Sequence, residues 1–223
     1  MVIARVSRFC EAVRDVGIAQ PVNSWTSIIF FWAVAIFLWQ HAARNQQFIN
    51  GSKLVSVLFI TVVFLIGASS FWGHATLSFW GGVADFSSMY LLVTLAALLG
   101  ISWFKPWRNS TLITWWIIVN IPLFYVAGLS DGITDYTFMA LVFVVVILEV
   151  VALSRLKKIG SPYFWLSLTS LAVGYGVWQL DRRGIWCNPE SLWQGHGLWH
   201  LLTALAAGFL YLYLAGKPAN ESR

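Results

Sequence analysis

The sequence predicts an all-α membrane protein of seven transmembrane helices, with its N-terminus outside and its C-terminus cytoplasmic. Three observations predict it. Of 223 residues, 59% are hydrophobic and only 10% are charged, against about 25% charged in soluble domains. The apolar residues gather into seven runs, each near the ~20 residues that a bilayer requires. The basic residues between the runs are unevenly divided, as they are in chains oriented by the positive-inside rule. Too little charge is present to coat a soluble enzyme, a disordered chain or a coiled coil. The net charge of +5 does not signal nucleic acid, because the Lys and Arg are scattered and form no basic stripe.

The elements follow in order. Residues 1–23 hold Arg5, Arg8 and Arg14 and no sustained apolar core, so they read as a short amphipathic arm rather than a signal peptide. The seven runs are Ser24–Ala43, Lys53–Trp72, Asp85–Phe104, Thr111–Leu129, Tyr136–Leu153, Pro162–Leu180 and Gly195–Ala215. Together they form one domain, residues 24–215, followed by a short cytoplasmic tail, 216–223. Breakers separate the runs: Gly81-Gly82, Lys105-Pro106, Ser130-Asp131-Gly132 and Gly160-Ser161-Pro162. The strands of an outer-membrane barrel would alternate apolar and polar residues; these runs are apolar throughout. With the N-terminus outside, Arg44, Lys53, Lys105, Arg108, Arg155, Lys157, Lys158, Lys217 and Arg223 lie inside. Outside are Arg182, Arg183 and the arm's three arginines.

Polar residues at membrane depth carry the functional information, since each is costly there. Ser70 and His74 end the second run, Asp85 opens the third, and His196 and His200 open the seventh. These three ends lie on the same side of the membrane, so the topology brings the clusters into one layer. His196 and His200 are four apart, which puts both imidazoles on one helix face. With His74 they make three His ligands, and an open fourth position then describes a catalytic zinc. Asp85 is placed to take a proton from a metal-activated water. Ser70, one turn before His74, is placed to donate to an oxyanion. Plainer readings stand beside these. The histidines would bond only between helices, Asp85 would pair with Arg182 or Arg183 or cap its helix, and Ser70 would be a small packing residue. A proton-relaying transporter would show paired broken helices or repeats, and neither is evident.

The pattern Ser70-x-x-x-His74, Asp85, then His196-x-x-x-His200 followed by Leu-Leu-Thr resembles the alkaline ceramidases. They belong to a superfamily of seven-helix membrane metal hydrolases that includes the adiponectin receptors. Cys10-Glu11, Pro21-Val22-Asn23-Ser24, Ala75-Thr76-Leu77, Asp181 and Cys187 extend the resemblance. It implies that His74, His196 and His200 bind Zn2+, that Asp85 activates water and that Ser70 stabilises the oxyanion. The implied substrate is a ceramide-like lipid taken from the bilayer, cleaved at its N-acyl amide to a fatty acid and a sphingoid base. A receptor-like member with little hydrolysis is the alternative within the superfamily.

Two departures from the family pattern matter. The familial calcium site needs several oxygen ligands, yet the arm reads Arg8, Phe9 and Val13, and Gln20 stands where a Glu is usual. No calcium site is expected, and Glu11 is expected in an exposed pair with an arm arginine. Gly73 replaces the usual Phe before the first histidine, which alters the pocket. Cys10 and Cys187 lie on the same predicted side and form either a disulfide or two free thiols. His41, at the far end of the first run, reads as interfacial. Trp103, Trp107, Trp115 and Trp116 suit headgroup belts. Glu149 is expected to reach Arg155 or the headgroups, Asn120 with Pro122 to kink the fourth helix, and Asp131 and Asp135 to be solvated. Short loops and the lack of an organelle-retrieval tail favour a bacterial inner membrane.

Overall fold

A computed structural model describes residues 9–155 and 161–216. The arginines expected at positions 5 and 8, the lysines at 157 and 158, and the tail 217–223 lie outside the described residues. Seven α-helices account for the fold, and no strand occurs among the described residues. They are α1 (Pro21–Asn45), α2 (Lys53–Thr76), α3 (Phe79–Ser102), α4 (Asn109–Ala127), α5 (Asp131–Arg155), α6 (Pro162–Arg182) and α7 (Gly195–Ala215). Six are long and apolar enough to cross a membrane; α6 is the exception. Ser167, Thr169, Ser170, Gln179 and the terminal Asp181-Arg182 lower its hydropathy.

Local chemistry sets the helix starts. Pro21 and Pro162 occupy first-turn positions where a missing N–H costs nothing. Ser52, Ser78 and Ser161 accept first-turn N–H bonds from Val55, Gly81 and Tyr163. Because Ser78 caps α3, the Gly81-Gly82 pair lies inside that helix rather than before it. α2 likewise runs past Trp72 and ends where Leu77 takes a left-handed conformation (φ 49°).

The helices pack in the spatial order α6, α7, α1, α2, α3, α5, with α4 leaning on α3 from outside. α7 is the most buried of the six apolar spans, and its Gly197, Ala204, Ala207 and Gly208 are buried against neighbours. α4 buries only Leu112 and Ala127 and turns Ile117, Ile121 and Tyr125 outward. An apolar cavity of about 160 Å³ lies between the α3–α5 and α6–α7 pairs.

Polar residues inside the bundle tie its members together. Asn120 Nδ2 donates to Thr94 Oγ1 and to the Trp116 carbonyl, linking α4 to α3 two residues before Pro122. Tyr90 donates from α3 to the Thr134 carbonyl of α5. Three expectations are corrected here. Glu149 does not reach Arg155 or the headgroups: it is buried and accepts from Tyr213 Oη (2.6 Å) and Trp103 Nε1 (3.3 Å). Trp103 is consequently buried rather than belted at the interface, whereas Trp115 is exposed as expected. Asp135, expected to be solvated, forms an ion pair with Arg182 that spans α5 and α6.

Candidate metal centre

His74 at the end of α2 meets His196 and His200 at the start of α7. All three are buried, and each offers a ring nitrogen within 4.8 Å of the others. The Nε2 atoms of His74 and His196 face each other at 3.0 Å. Ring centroids are 4.7 Å apart for His74–His196, 5.3 Å for His74–His200 and 4.5 Å for His196–His200. The sequence expectation that three imidazoles from two distant stretches converge is met.

Tautomers follow from the neighbours. Gln20 Nε2 donates to the Glu11 carbonyl, so its Oε1 accepts from His74 Nδ1–H at 3.0 Å. Thr26 has one hydroxyl proton, which it donates to the Val22 carbonyl at 2.7 Å. Its oxygen therefore accepts from His200 Nδ1–H at 3.0 Å. Both rings are left with an Nε2 lone pair. His196 Nδ1 has no hydrogen-bond partner among the described residues, and that ring is held instead by Phe9, stacked at 3.9 Å. Two tautomerically fixed lone pairs, with a third imidazole nitrogen 3.0 Å from one of them, fit a cation that draws nitrogen ligands at about 2.0–2.1 Å.

The arm builds this layer. Glu11, expected in an exposed pair, is buried and accepts from the Val22 and Asn23 N–H groups (2.7 and 2.8 Å), satisfying orphan donors of α1. Burial pushes its carboxyl above the usual range, while those two bonds and Arg14 pull it back. Cys10 and Cys187 form a disulfide with a Cα–Cα distance of 5.3 Å, which settles the choice left open by the sequence. Asp181, at the end of α6, accepts from Cys10 N–H (3.1 Å) and His196 N–H (3.2 Å). One carboxylate thus joins the arm to the first turn of α7. A Cβ on Gly195 would lie 2.8 Å from Asp181 Cβ, so only glycine fits beside it.

Ser70 is buried and lines the cavity, with half-buried Asp85, His196 and His200. Asp85 reaches this position because α2 and α3 touch through glycines. A Cβ on Gly81 would stand 2.9 Å from Gly73 Cα. Gly73, the departure noted in the sequence, is thus the residue that permits the close crossing. Ser69 Oγ donates to Ser88 Oγ at 2.8 Å across the same contact. His41 lies at the other end of α1, bonded to Asn45 and Gln47. Sequence reasoning missed Gln20 and Thr26 as orienting residues; their partners are 54 and 174 positions away in the chain.

The ceramidase family profile matches residues 7–221. No curated protein matches the chain. The match spans the arm that fixes His74, the crossing that positions Asp85 and the helix that carries the other two histidines: the chain belongs to the ceramidase family.

Proposed function

We propose that the protein is a zinc-dependent intramembrane amidohydrolase that cleaves the N-acyl amide of ceramide or a related lipid, releasing a fatty acid and a sphingoid base. The observation that carries this reading is the position of the histidine cluster at the polar end of an apolar cavity. A lipid amide needs both: hydrocarbon walls for its chain and a polar layer for its carbonyl.

His74, His196 and His200 would hold the zinc. When bound, it supplies Lewis acidity for the amide carbonyl and lowers the pKa of an attacking water. Asp85 takes the proton from that water and delivers it to the departing sphingoid nitrogen, so one carboxyl serves first as base and then as acid. Ser70 donates its O–H to the carbonyl oxygen as negative charge develops there. Gln20 and Thr26 keep the His74 and His200 protons on Nδ1, away from the reacting face. Phe9 lies over His196 and keeps bulk water from that ring.

The N-terminus lies outside and the C-terminus in the cytoplasm, in a bacterial inner membrane. The disulfide supports this orientation, because it sits on the arm side and disulfides persist in oxidising compartments.

The test is metal analysis joined to a lipid assay. Purified wild-type protein is expected to hold about one zinc per chain and to release fatty acid from ceramide. His196→Ala is expected to lose both. Zinc retained at full stoichiometry in the variant defeats the ligand assignment. Zinc without turnover of any lipid amide favours the receptor-like alternative.

A further inference from the structure

The cavity has a defined far end. From the histidine layer it runs along α3 from Asp85 to Ala96, along α5 from Asp135 to Val146, and along α7 from His200 to Leu210. At the helical rise, ten or eleven residues span about 15–16 Å, the length of an extended chain of roughly a dozen methylenes. One turn further, the lining gives way to buried polar residues. Glu149 follows Val146, and Tyr213 follows Leu210; both are buried, at 1% and 2% exposure. Tyr213 donates to Glu149, and Trp103, just past the end of α3, donates to the same carboxylate. Phe164, at the start of α6, lines the cavity and lies 5.3 Å from the Tyr213 ring. Trp103 and members of α5, α6 and α7 therefore meet in one layer.

A floor of this kind differs from ordinary apolar packing. A chain that pushes on Leu or Val side chains meets rotamers that can shift. A chain that pushes past Phe164 meets a ring backed by a tyrosine whose hydroxyl is fixed to a buried carboxylate. Displacing it strains the Tyr213–Glu149 hydrogen bond, both of whose partners are buried. The floor is stiff where the walls are soft.

We propose that the Phe164–Tyr213–Glu149 layer is a length gauge: it sets the longest single hydrocarbon chain that the cavity accepts while the amide remains at the histidines. This rests on the amidohydrolase reading and specifies its substrate class as lipid amides whose buried chain has about a dozen carbons. Up to the floor, an added methylene moves from one apolar environment, the bilayer, into another and changes selectivity little. Beyond it, the amide is held short of Ser70 and Asp85.

The test uses the full chain in lipid nanodiscs with two graded series of ceramides, one varying the acyl chain and one varying the sphingoid base. Wild type is expected to show a cut-off in one series, which identifies the chain that occupies the cavity. Phe164→Leu is expected to raise kcat/KM for the first members beyond the cut-off about tenfold relative to the shorter members. Phe164→Trp is expected to move the cut-off the other way. Length profiles that coincide for wild type and both variants overturn the gauge, even if all three are active. Binding of the same series to Asp85→Asn protein, read by displacement of a fluorescent fatty acid, separates the two readings. Absence of turnover in every protein with a cut-off that still shifts in binding removes the hydrolase reading and keeps the gauge. Absence of both turnover and length-dependent binding removes both.

Discussion

At the scale of single residues, the chemistry depends on which nitrogen of each imidazole carries the proton. His74 presents Nε2 to the site only because Gln20 takes its Nδ1 proton, and Gln20 is oriented in turn by the Glu11 carbonyl. Removing such a partner typically costs ten- to hundredfold in metal affinity. Gln20→Ala is therefore expected to weaken zinc binding by about that factor, measured by competition with a chromogenic chelator. Gln20→Glu keeps an acceptor at the same place and is expected to retain most of the affinity. Equal loss in both variants would assign Gln20 a packing role only. The three clustered histidines were legible in the sequence because buried histidines are costly and the chain has only four. Gln20 and Thr26 were not legible. An amide or hydroxyl has no periodic signature, and its partner is known only once the arm has folded back onto α2 and α7. Asp135 was misread for a related reason: its cation, Arg182, comes from a helix that lies beside α5 only in three dimensions.

At the scale of helices, the crossing of α2 and α3 decides whether Asp85 reaches the site. Gly81→Ala would place a methyl group 2.9 Å from Gly73 Cα and 3.2 Å from Gly73 N, both backbone atoms that cannot move aside alone. The helices must separate, at a cost of about 1–3 kcal/mol. The three clustered histidines sit on α2 and α7, whereas Asp85 sits on α3. Zinc content is thus expected to survive while kcat falls by about a hundredfold, the usual consequence of a 1 Å misplacement. Gly176→Ala is the control, since nothing lies within 4 Å of a Cβ there. Loss of zinc together with activity in Gly81→Ala would mean that the crossing supports the whole fold, not the aspartate. A second expectation concerns Glu149, the buried link from α5 to α7. Glu149→Ala leaves Tyr213 and Trp103 without this acceptor and is expected to cost about 2–4 kcal/mol, read as a lowered thermal midpoint in detergent. Among the helices, α7 was found at its expected bounds because Gly195 and the apolar run mark both ends. α3 begins six residues before Asp85 because Gly81-Gly82 resembles a breaker locally, while the Ser78 cap and the contact with Gly73 hold the pair in helix.

At the scale of the whole molecule, the arm and the α6–α7 loop form a cap over one end of the bundle. The disulfide joins them, the Ala12 N–H bonds to the Pro189 carbonyl, and the Gln20 N–H bonds to the His74 carbonyl. The histidine layer lies directly beneath. Two independent physical facts point to the same placement. Basic residues gather at the opposite helix ends, as they do on cytoplasmic faces, and the cystine belongs in an oxidising compartment. The chain has only two cysteines, so an impermeant label reports on this cap alone. In spheroplasts treated with an impermeant reductant, an impermeant maleimide is expected to label Cys10 and Cys187 without permeabilisation. Labelling that appears only after the membrane is opened would place the cap in the cytoplasm. It would also reverse the orientation and deprive the disulfide of the environment that maintains it. The histidine layer would then lie at the cytoplasmic face, and the proposed lipid substrate would have to be drawn from the inner leaflet rather than the outer one.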